Sequence, residues 1–294
     1  MATFDQWVAG ARPRTLFAAI APVVIGTAAA AQHSHPSYAI AILAAVVALA
    51  LQVGVNYAND YSDGIRGTDD SRVGPVRLVG QKLAQPNSVK AAAFLSFGFA
   101  AVTGLALVAL AEAWWLLPLG ILSILAAWKY TGGENPYGYM GLGEVFVFVF
   151  FGLVATLGTQ YAQVGTLSWF GVAAAVGVGA IASAILVVNN LRDIPTDSQT
   201  GKHTLAVRLG DAGTRRLWLG LIVLSILCVG VMAVWDPWAL VGLLSIAAIW
   251  RAVQVVMGGV EGRGLVPVLG STGRYELVYA VAVFAGILAS RSLA

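Results

Sequence analysis

The sequence predicts an all-α integral membrane protein, a bundle of about nine transmembrane helices. Three observations lead to this fold class. Apolar residues make up 59% of the chain, charged residues make up only 11%, and the mean hydropathy is +0.80. A soluble domain carries about 25% charged residues, so the excess of apolar side chains must face lipid. The composition therefore excludes a soluble globular chain, and the single cysteine, Cys228, excludes a disulfide within it.

Apolar segments long enough to cross a bilayer recur along the whole chain. A helical span needs about 20 predominantly apolar residues. The segments that approach this requirement are residues 15–31, 39–62, 89–111, 113–130, 142–161, 168–191, 215–234, 238–257 and 275–290. We interpret them as one polytopic domain, residues 1–294, in a lipid bilayer.

The basic residues predict the orientation of the chain. With nine spans and a cytoplasmic N-terminus, every Lys and Arg except Arg291 falls on the cytoplasmic side. This distribution agrees with the positive-inside rule. The longer, more polar connections, 63–88, 131–141, 192–214 and 258–274, fall on the same side. Because function concentrates in polar loops held by a rigid scaffold, we expect the active site at the cytoplasmic face.

The second predicted helix ends in a cluster of amides and carboxylates. At about 100° per residue, they occupy roughly a third of the helix circumference. The cluster consists of Asn56, Asn59, Asp60 and Asp63. Ionisable groups close to the membrane are costly and point to a functional site.

The sixth predicted helix ends in a similar cluster, formed by Asn189, Asp193 and Asp197. The repeated Asn-xxx-Asp pattern suggests two pseudo-equivalent parts, about 1–130 and 131–294. Carboxylate and amide oxygens are hard ligands that suit Mg²⁺, and Mg²⁺ commonly bridges protein carboxylates and substrate phosphates. We therefore expect both clusters to bind magnesium together with a diphosphate. The basic residues that follow them are candidates for the diphosphate oxygens: Arg72, Arg77, Lys82, Lys202 and Arg208.

The two acidic motifs and the membrane setting resemble the UbiA superfamily of intramembrane prenyltransferases, and the resemblance extends over the whole chain. Four stretches are similar to its naphthoate branch, the 1,4-dihydroxy-2-naphthoate polyprenyltransferases. They are Ala11–Leu16, Asn59–Arg77, Tyr130–Glu144 and Asn189–Leu205. Two positions depart from the family pattern. Gly67 stands where a further Asp is common, so the third ligand role is carried to Asp69, and Glu134 stands where the branch often has Pro.

The resemblance implies transfer of a polyprenyl group from an allylic polyprenyl diphosphate to 1,4-dihydroxy-2-naphthoate. The acceptor loses its carboxylate, and the product belongs to menaquinone biosynthesis in a bacterial inner membrane. Asp63 and Asp193 are expected to be essential. Residues expected at the acceptor are Arg14 or Lys129 for the carboxylate, and Tyr130, Tyr137, Tyr139 and Glu144 for relaying a phenolic proton.

Two alternatives remain open at this stage. Another branch of the superfamily, acting on 4-hydroxybenzoate or homogentisate, would share the acidic motifs. A transporter or ion channel would also place carboxylates in a membrane, and the repeated motif could be a transporter repeat. Both clusters, however, lie on one face of the membrane and precede basic residues, which favours an enzyme. Nothing in the sequence indicates a nucleic acid partner.

Overall fold

The structure, a computed structural model, describes residues 2–67 and 76–293. Within these ranges the chain is helical and has no β-strand. The α-helices are α1 (Phe4–Gly10), α2 (Phe17–His33), α3 (Tyr38–Ile65), α4 (Pro86–Ala111), α5 (Leu117–Lys129), α6 (Gly143–Val147), α7 (Ala155–Val164), α8 (Trp169–Gln199), α9 (Leu205–Met232), α10 (Ile246–Met257) and α11 (Val266–Leu293).

Each of the nine apolar segments lies on a helix, which confirms the all-α membrane fold. In the described part of the chain, seven helices are long and apolar enough to cross a membrane. Phe4–Thr15 and Phe17–His33 add an eighth candidate as a pair bent by 45°. The helical segment Trp114–Lys129 is shorter than the other candidates. The count of nine, like the division into two pseudo-equivalent parts, stays a prediction.

Helix α8 forms the centre of the bundle. Its most apolar stretch is 78% buried, whereas the other spans are 22% to 39% buried. It packs against α2, α9 and α11. Where α8 meets the span Gly143–Val164, a Cβ atom at Gly152 would lie only 2.6 Å from the Cα of Gly179. Glycine is therefore required for this close approach of two backbones, which is a common packing solution in membranes.

The span Gly143–Val164 contains an irregular turn at its middle. Residues Phe148–Val154 adopt a π-helix between α6 and α7. Wider turns of this kind are often found beside functional sites. Here the side chains of Phe150 and Phe151 line the large internal cavity of the bundle.

Helices α3 and α8 carry the two acidic motifs and end at the same end of the bundle. Helix α8 continues through Pro195 to Gln199, beyond the predicted span 168–191, so Asn189, Asp193 and Asp197 belong to one helix. The N-terminal segment is tied to α3 because Asn56 Nδ2 donates hydrogen bonds to the Ala11 carbonyl (2.8 Å) and to Thr15 Oγ1 (3.0 Å). These contacts close the bundle around the site.

Candidate active site

A cavity of about 1370 Å³ extends from the acidic motifs into the bundle. Its polar end is lined by Asn59, Asp63, Asp197 and Lys202. Its other end, which we call the apolar branch, is lined by hydrophobic residues of α3, α4, α5 and the π-helix: Val47, Leu51, Leu105, Val108, Ile121, Ile124, Phe151 and Val154. Leu105 of α4 and Ile121 of α5 are 50% and 60% exposed, so the apolar branch reaches the side of the bundle between these two helices.

Asp63 is the point at which the two motif regions meet. Lys202 Nζ, from the second motif loop, lies 3.5 Å from Asp63 Oδ1, and Arg77 Nη2 lies 3.8 Å from Asp63 Oδ2. Both cations are buried together with Asp63. Lys202 also lies over the ring of Tyr139, 4.5 Å from its centroid. The structure thus brings together two of the basic residues predicted to bind diphosphate and one carboxylate predicted to bind metal.

Asp60 has a different environment, although it is one helical turn from Asp63. Its two carboxylate oxygens accept hydrogen bonds from the backbone N–H groups of Leu78 (2.7 Å) and Val79 (3.0 Å). The residue is fully buried and is not part of the cavity lining. Its observed contacts therefore hold the chain segment that follows the first motif.

The second motif is organised around an arginine that the sequence analysis did not single out. Arg192 Nε and Nη2 donate to the two oxygens of Asp193, each at 2.7 Å, and Nη2 also donates to Asn189 Oδ1 at 2.9 Å. Arg192 lines the cavity together with Asn189 and Asp197, while Asp193 lies behind it. Arg192 stands inside the motif Asn189-Asn190-x-Arg192-Asp193, and this position is the feature of the sequence that could have identified it as a site residue.

The amides of the site are held by neighbouring side chains. Asn59 Oδ1 accepts a hydrogen bond from Thr131 Oγ1 at 2.7 Å. Asn190 lines the cavity and donates from Nδ2 to Glu144 Oε1 at 2.9 Å. Glu144 is buried and does not line the cavity. Its carboxylate therefore acts on the cavity through Asn190, whose side chain it holds. Asn190 and Thr131 are further site residues that the sequence analysis missed.

The tyrosines predicted at the acceptor separate into different roles. Tyr130, Tyr137 and Tyr139 all line the cavity. The Tyr137 hydroxyl donates to the Ala126 carbonyl at 2.9 Å, its ring stacks on Phe146 at 3.9 Å, and burial raises the pKa of its phenol. Tyr137 is thus a wall of the cavity. Tyr139, in contrast, donates its hydroxyl hydrogen to Asp63.

Several predicted residues lie away from the cavity. Lys129 is exposed beside Gly133, and Lys82 is exposed in the turn before α4. Arg208 donates to the backbone carbonyls of Met140 (2.8 Å) and His203 (3.2 Å). These contacts join the loop after α5 to the loop after α8. Asp69 and Arg72 lie outside the described residues.

The donor chemistry of the site fits magnesium. Asn59, Asp63, Asn189 and Asp197 present amide and carboxylate groups along the cavity. Across residues 2–67 and 76–293, no three His, Cys, Asp or Glu side chains are close enough together to hold a metal by themselves. A set of few protein oxygens, completed by phosphate oxygens of a substrate, is the usual arrangement for Mg²⁺.

Comparison with known proteins identifies the family of this chain. The pattern of the UbiA prenyltransferase family matches residues 19–260. The 1,4-dihydroxy-2-naphthoate octaprenyltransferase of Mycobacterium tuberculosis is 56% identical over 98% of both chains. The protein of the same description from Escherichia coli is 36% identical over 98% of this chain and 96% of its own.

Solved structures share the fold at low sequence identity. A UbiA homolog from Aeropyrum pernix K1 matches with a TM-score of 0.70 and 15% identity over 93% of this chain and 98% of its own. A UbiA homolog from Archaeoglobus fulgidus bound to GPP and Mg²⁺ matches with a TM-score of 0.67 and 13% identity over 96% and 99%. By the family match and by its identity to full-length relatives, the chain belongs to the UbiA prenyltransferase family.

Proposed function

We propose that the protein transfers a polyprenyl group from an allylic polyprenyl diphosphate to 1,4-dihydroxy-2-naphthoate, with loss of the acceptor's carboxylate, in menaquinone biosynthesis. The observation that carries this proposal is the cavity, which joins a polar end containing carboxylates and cations to an apolar branch open at the side of the bundle. A substrate with a charged head and a long hydrocarbon tail fits both parts. The choice of acceptor is supported by relatives at 54% to 56% identity.

The diphosphate binds at the polar end in this proposal. Arg77 and Lys202 supply positive charge there, and both already lie near Asp63. Magnesium would be held by Asn59, Asp63, Asn189 and Asp197, and when bound it neutralises charge on the departing diphosphate. The UbiA homolog from Archaeoglobus fulgidus is bound to GPP and Mg²⁺, which supports the choice of magnesium and of a prenyl diphosphate as ligands. Asn56, Asp60, Asp69 and Asp193 stay predicted ligands, of which Asp60 and Asp193 now have the structural contacts described above.

The polyprenyl tail occupies the apolar branch. Its hydrophobic walls match the tail, and its opening beside Leu105 and Ile121 allows long tails to continue into the bilayer. Burial of a hydrocarbon tail here needs no polar partner. The diphosphate head of the donor is thereby fixed at the acidic motifs. The length of the polyprenyl tail is not limited, because the described residues form no closed wall at the end of the apolar branch.

The reaction balances as a substitution. The bond between C1 of the donor and the diphosphate oxygen breaks, and an electron-rich carbon of the acceptor ring forms the new bond to C1. Diphosphate leaves with the electron pair, and the carboxylate leaves as carbon dioxide. The immediate product is the hydroquinone, and its conversion to demethylmenaquinone removes two electrons in a separate step. Arg77 and Lys202 offset the charge that develops on the leaving group.

The N-terminus lies in the cytoplasm of a bacterial cell in this proposal. The predicted distribution of Lys and Arg and the position of both motifs at one end of the bundle support that orientation. The substrates are then used on the cytoplasmic side, and the prenylated product stays in the membrane.

Product analysis with the purified full chain tests the proposal. The protein in detergent or proteoliposomes is given octaprenyl diphosphate, Mg²⁺ and one of three acceptors: 1,4-dihydroxy-2-naphthoate, 4-hydroxybenzoate or homogentisate. We expect diphosphate release, carbon dioxide release and a prenylated naphthalenediol by mass, with the naphthoate preferred. Preference for another acceptor would reassign the branch of the family. Failure to release diphosphate with any acceptor would contradict the enzymatic assignment.

A further inference from the structure

The basic residues along the cavity differ in their surroundings. Arg77, Lys202 and Arg192 are buried and lie against carboxylates of the two acidic motifs. Arg14 and Arg274 line the cavity too, but both are exposed. Arg14 lies in the turn Pro13–Thr15 that precedes α2, and Arg274 lies near the start of α11. The cavity therefore has a second region of positive charge.

Arg14 and Arg274 belong to neighbouring segments. A Cβ atom at Gly273 would lie 3.9 Å from the Arg14 carbonyl oxygen, and 4.0 Å from side-chain atoms of Ile185 and Phe17. The turn before α2, the middle of α8 and the start of α11 thus converge at one place. We call this place the arginine mouth: the cavity edge formed by Arg14, Phe17, Ile185 and Arg274.

The wall beside the arginine mouth is apolar and leads to the acidic motifs. Ile185 and Leu186 of α8 line the cavity, and Asn189, one helical turn further, belongs to the second motif. A flat aromatic ring packed against Leu186 would lie next to the arginine mouth and within one helical turn of Asn189 in the second motif. An acceptor in that position would be close to the diphosphate end of the cavity.

Among residues 2–67 and 76–293, no carboxylate pairs with the two arginines of the arginine mouth. Arg274 Nη2 donates to Ser271 Oγ at 3.2 Å. Guanidinium groups bind carboxylates well because two N–H groups match two oxygens. Two such groups at the edge of an apolar cavity suit a ligand that is aromatic and carries one carboxylate.

We propose that Arg14 and Arg274 together bind the carboxylate of the acceptor, so that the acceptor occupies the arginine mouth while the donor occupies the acidic motifs and the apolar branch. This inference rests on the proposed function, since it takes the acceptor to be a carboxylated aromatic compound. The proposal assigns Arg14 and Arg274 to the acceptor carboxylate and leaves Arg77 and Lys202 to the diphosphate. The two anions would otherwise repel each other in one site. The proposal also sets Lys129 aside, because Lys129 does not line the cavity.

Binding of two ligands that differ only in a carboxylate tests the proposal. The probes are 1-hydroxy-2-naphthoate and 1-naphthol, each titrated onto the purified full chain in detergent without turnover. We expect Arg14→Gln and Arg274→Gln each to weaken the carboxylated probe about tenfold or more, because a hydrogen bond to a charged group is lost. Affinity for 1-naphthol should change by less than about twofold, since that ligand makes no such bond.

Arg263→Gln is the matched control. Arg263 is exposed in the turn Gly262–Leu265, directly before α11, and does not line the cavity. It should leave both affinities unchanged, which excludes a general effect of surface charge. Arg14→Lys and Arg274→Lys should recover part of the affinity for the carboxylated probe.

The possible outcomes distinguish a failure of this proposal from a failure of the proposed function. Equal weakening of both probes in Arg14→Gln or Arg274→Gln would mean a structural role and would overturn it, as would unchanged affinity for the carboxylate in both variants. If the wild-type protein does not prefer the carboxylated probe, the proposal also fails, even where product analysis supports naphthoate prenylation. If the variants behave as expected but the product analysis fails, the arginine mouth serves another carboxylated aromatic compound.

Discussion

Tyr139 donates its phenolic hydrogen to Asp63 with an oxygen–oxygen distance of 2.5 Å. This bond joins the loop after α5 to the end of α3, across 76 residues of sequence. The backbone carbonyl of the same tyrosine accepts a hydrogen bond from the N–H of His203, in the loop after α8. Tyr139 therefore connects both acidic motif regions, and it orients the carboxylate that Arg77 and Lys202 also approach.

Replacing Tyr139 by phenylalanine should lower kcat about tenfold, because Asp63 loses a hydrogen bond to a charged group. Tyr137→Phe is the matched comparison, since the two tyrosines are separated by a single residue in one turn. Burial raises the pKa of the Tyr137 phenol, so this group stays protonated and its hydroxyl only binds the Ala126 carbonyl. Tyr137→Phe should keep kcat and its pH profile and lower thermal stability slightly. Equal loss of kcat in both variants would contradict this distinction.

Asp63→Ala should abolish turnover while leaving a folded protein. Asp63 has two cationic neighbours and lines the cavity, so its loss removes a predicted metal ligand and changes the charge at the diphosphate end. Asp193→Ala should have the same result because Arg192, which lines the cavity, loses its partner.

Glu261→Gln, an exposed change between α10 and α11, is the control for the two aspartate variants. Turnover is measured by product mass, and folding is followed by thermal melting in detergent. An Asp63→Ala or Asp193→Ala variant that keeps more than about a tenth of the wild-type rate, a barrier change under about 1.4 kcal/mol, would argue against this role.

Asp60→Ala should act mainly on stability. The substitution leaves the buried backbone N–H groups of Leu78 and Val79 without their acceptor. Each unsatisfied buried donor costs about 1–3 kcal/mol, so we expect a loss of about 2 kcal/mol or more in the free energy of unfolding. Chemical denaturation in detergent measures the change, with the exposed substitution Glu261→Gln as the reference. A fully stable Asp60→Ala protein that no longer responds to magnesium would instead favour direct metal ligation.

Activity should require a divalent cation, with magnesium preferred. The predicted ligands are carboxylates and amides, and none is a Cys or His that would favour zinc or copper. Exhaustive chelation should stop turnover, and added Mg²⁺ should restore it. A prenyl diphosphate should raise the melting temperature of the wild-type protein only when Mg²⁺ is present. This measurement is a readout that does not depend on catalysis. Full turnover after chelation would refute the requirement.

Periodicity and composition predicted the helices of this fold well because each apolar segment carries its own signal. The same reasoning placed Asp60 and Asp63 together on one helix face, and both residues do lie in the last turns of α3. Their environments differ because residues 76–80 return to α3 and place backbone N–H groups beside Asp60 alone. That return is a tertiary contact, which helix periodicity does not contain.

The loops that follow the two acidic motifs were harder to predict than the helices. Arg208 follows the second motif in sequence as Lys202 does, yet Lys202 points to Asp63 whereas Arg208 binds the carbonyls of Met140 and His203. Sequence proximity to a motif does not determine which basic residues enter the cavity: Arg77 and Lys202 line it, whereas Arg208 and Lys82 do not. Arg192 was not assigned a role because its bonds to Asp193 and Asn189 depend on how the three side chains are arranged on α8, which the order of residues in the motif does not specify.

The lateral opening beside Leu105 and Ile121 has a kinetic consequence. A donor whose tail is already dissolved in the bilayer can reach the site by diffusion in the membrane plane, and the prenylated product can leave by the same route without crossing water. The rate should then follow the mole fraction of the donor in the lipid or detergent phase, and dilution with inert lipid at constant total concentration should slow the enzyme. The acceptor, which has no tail, should follow its aqueous concentration instead.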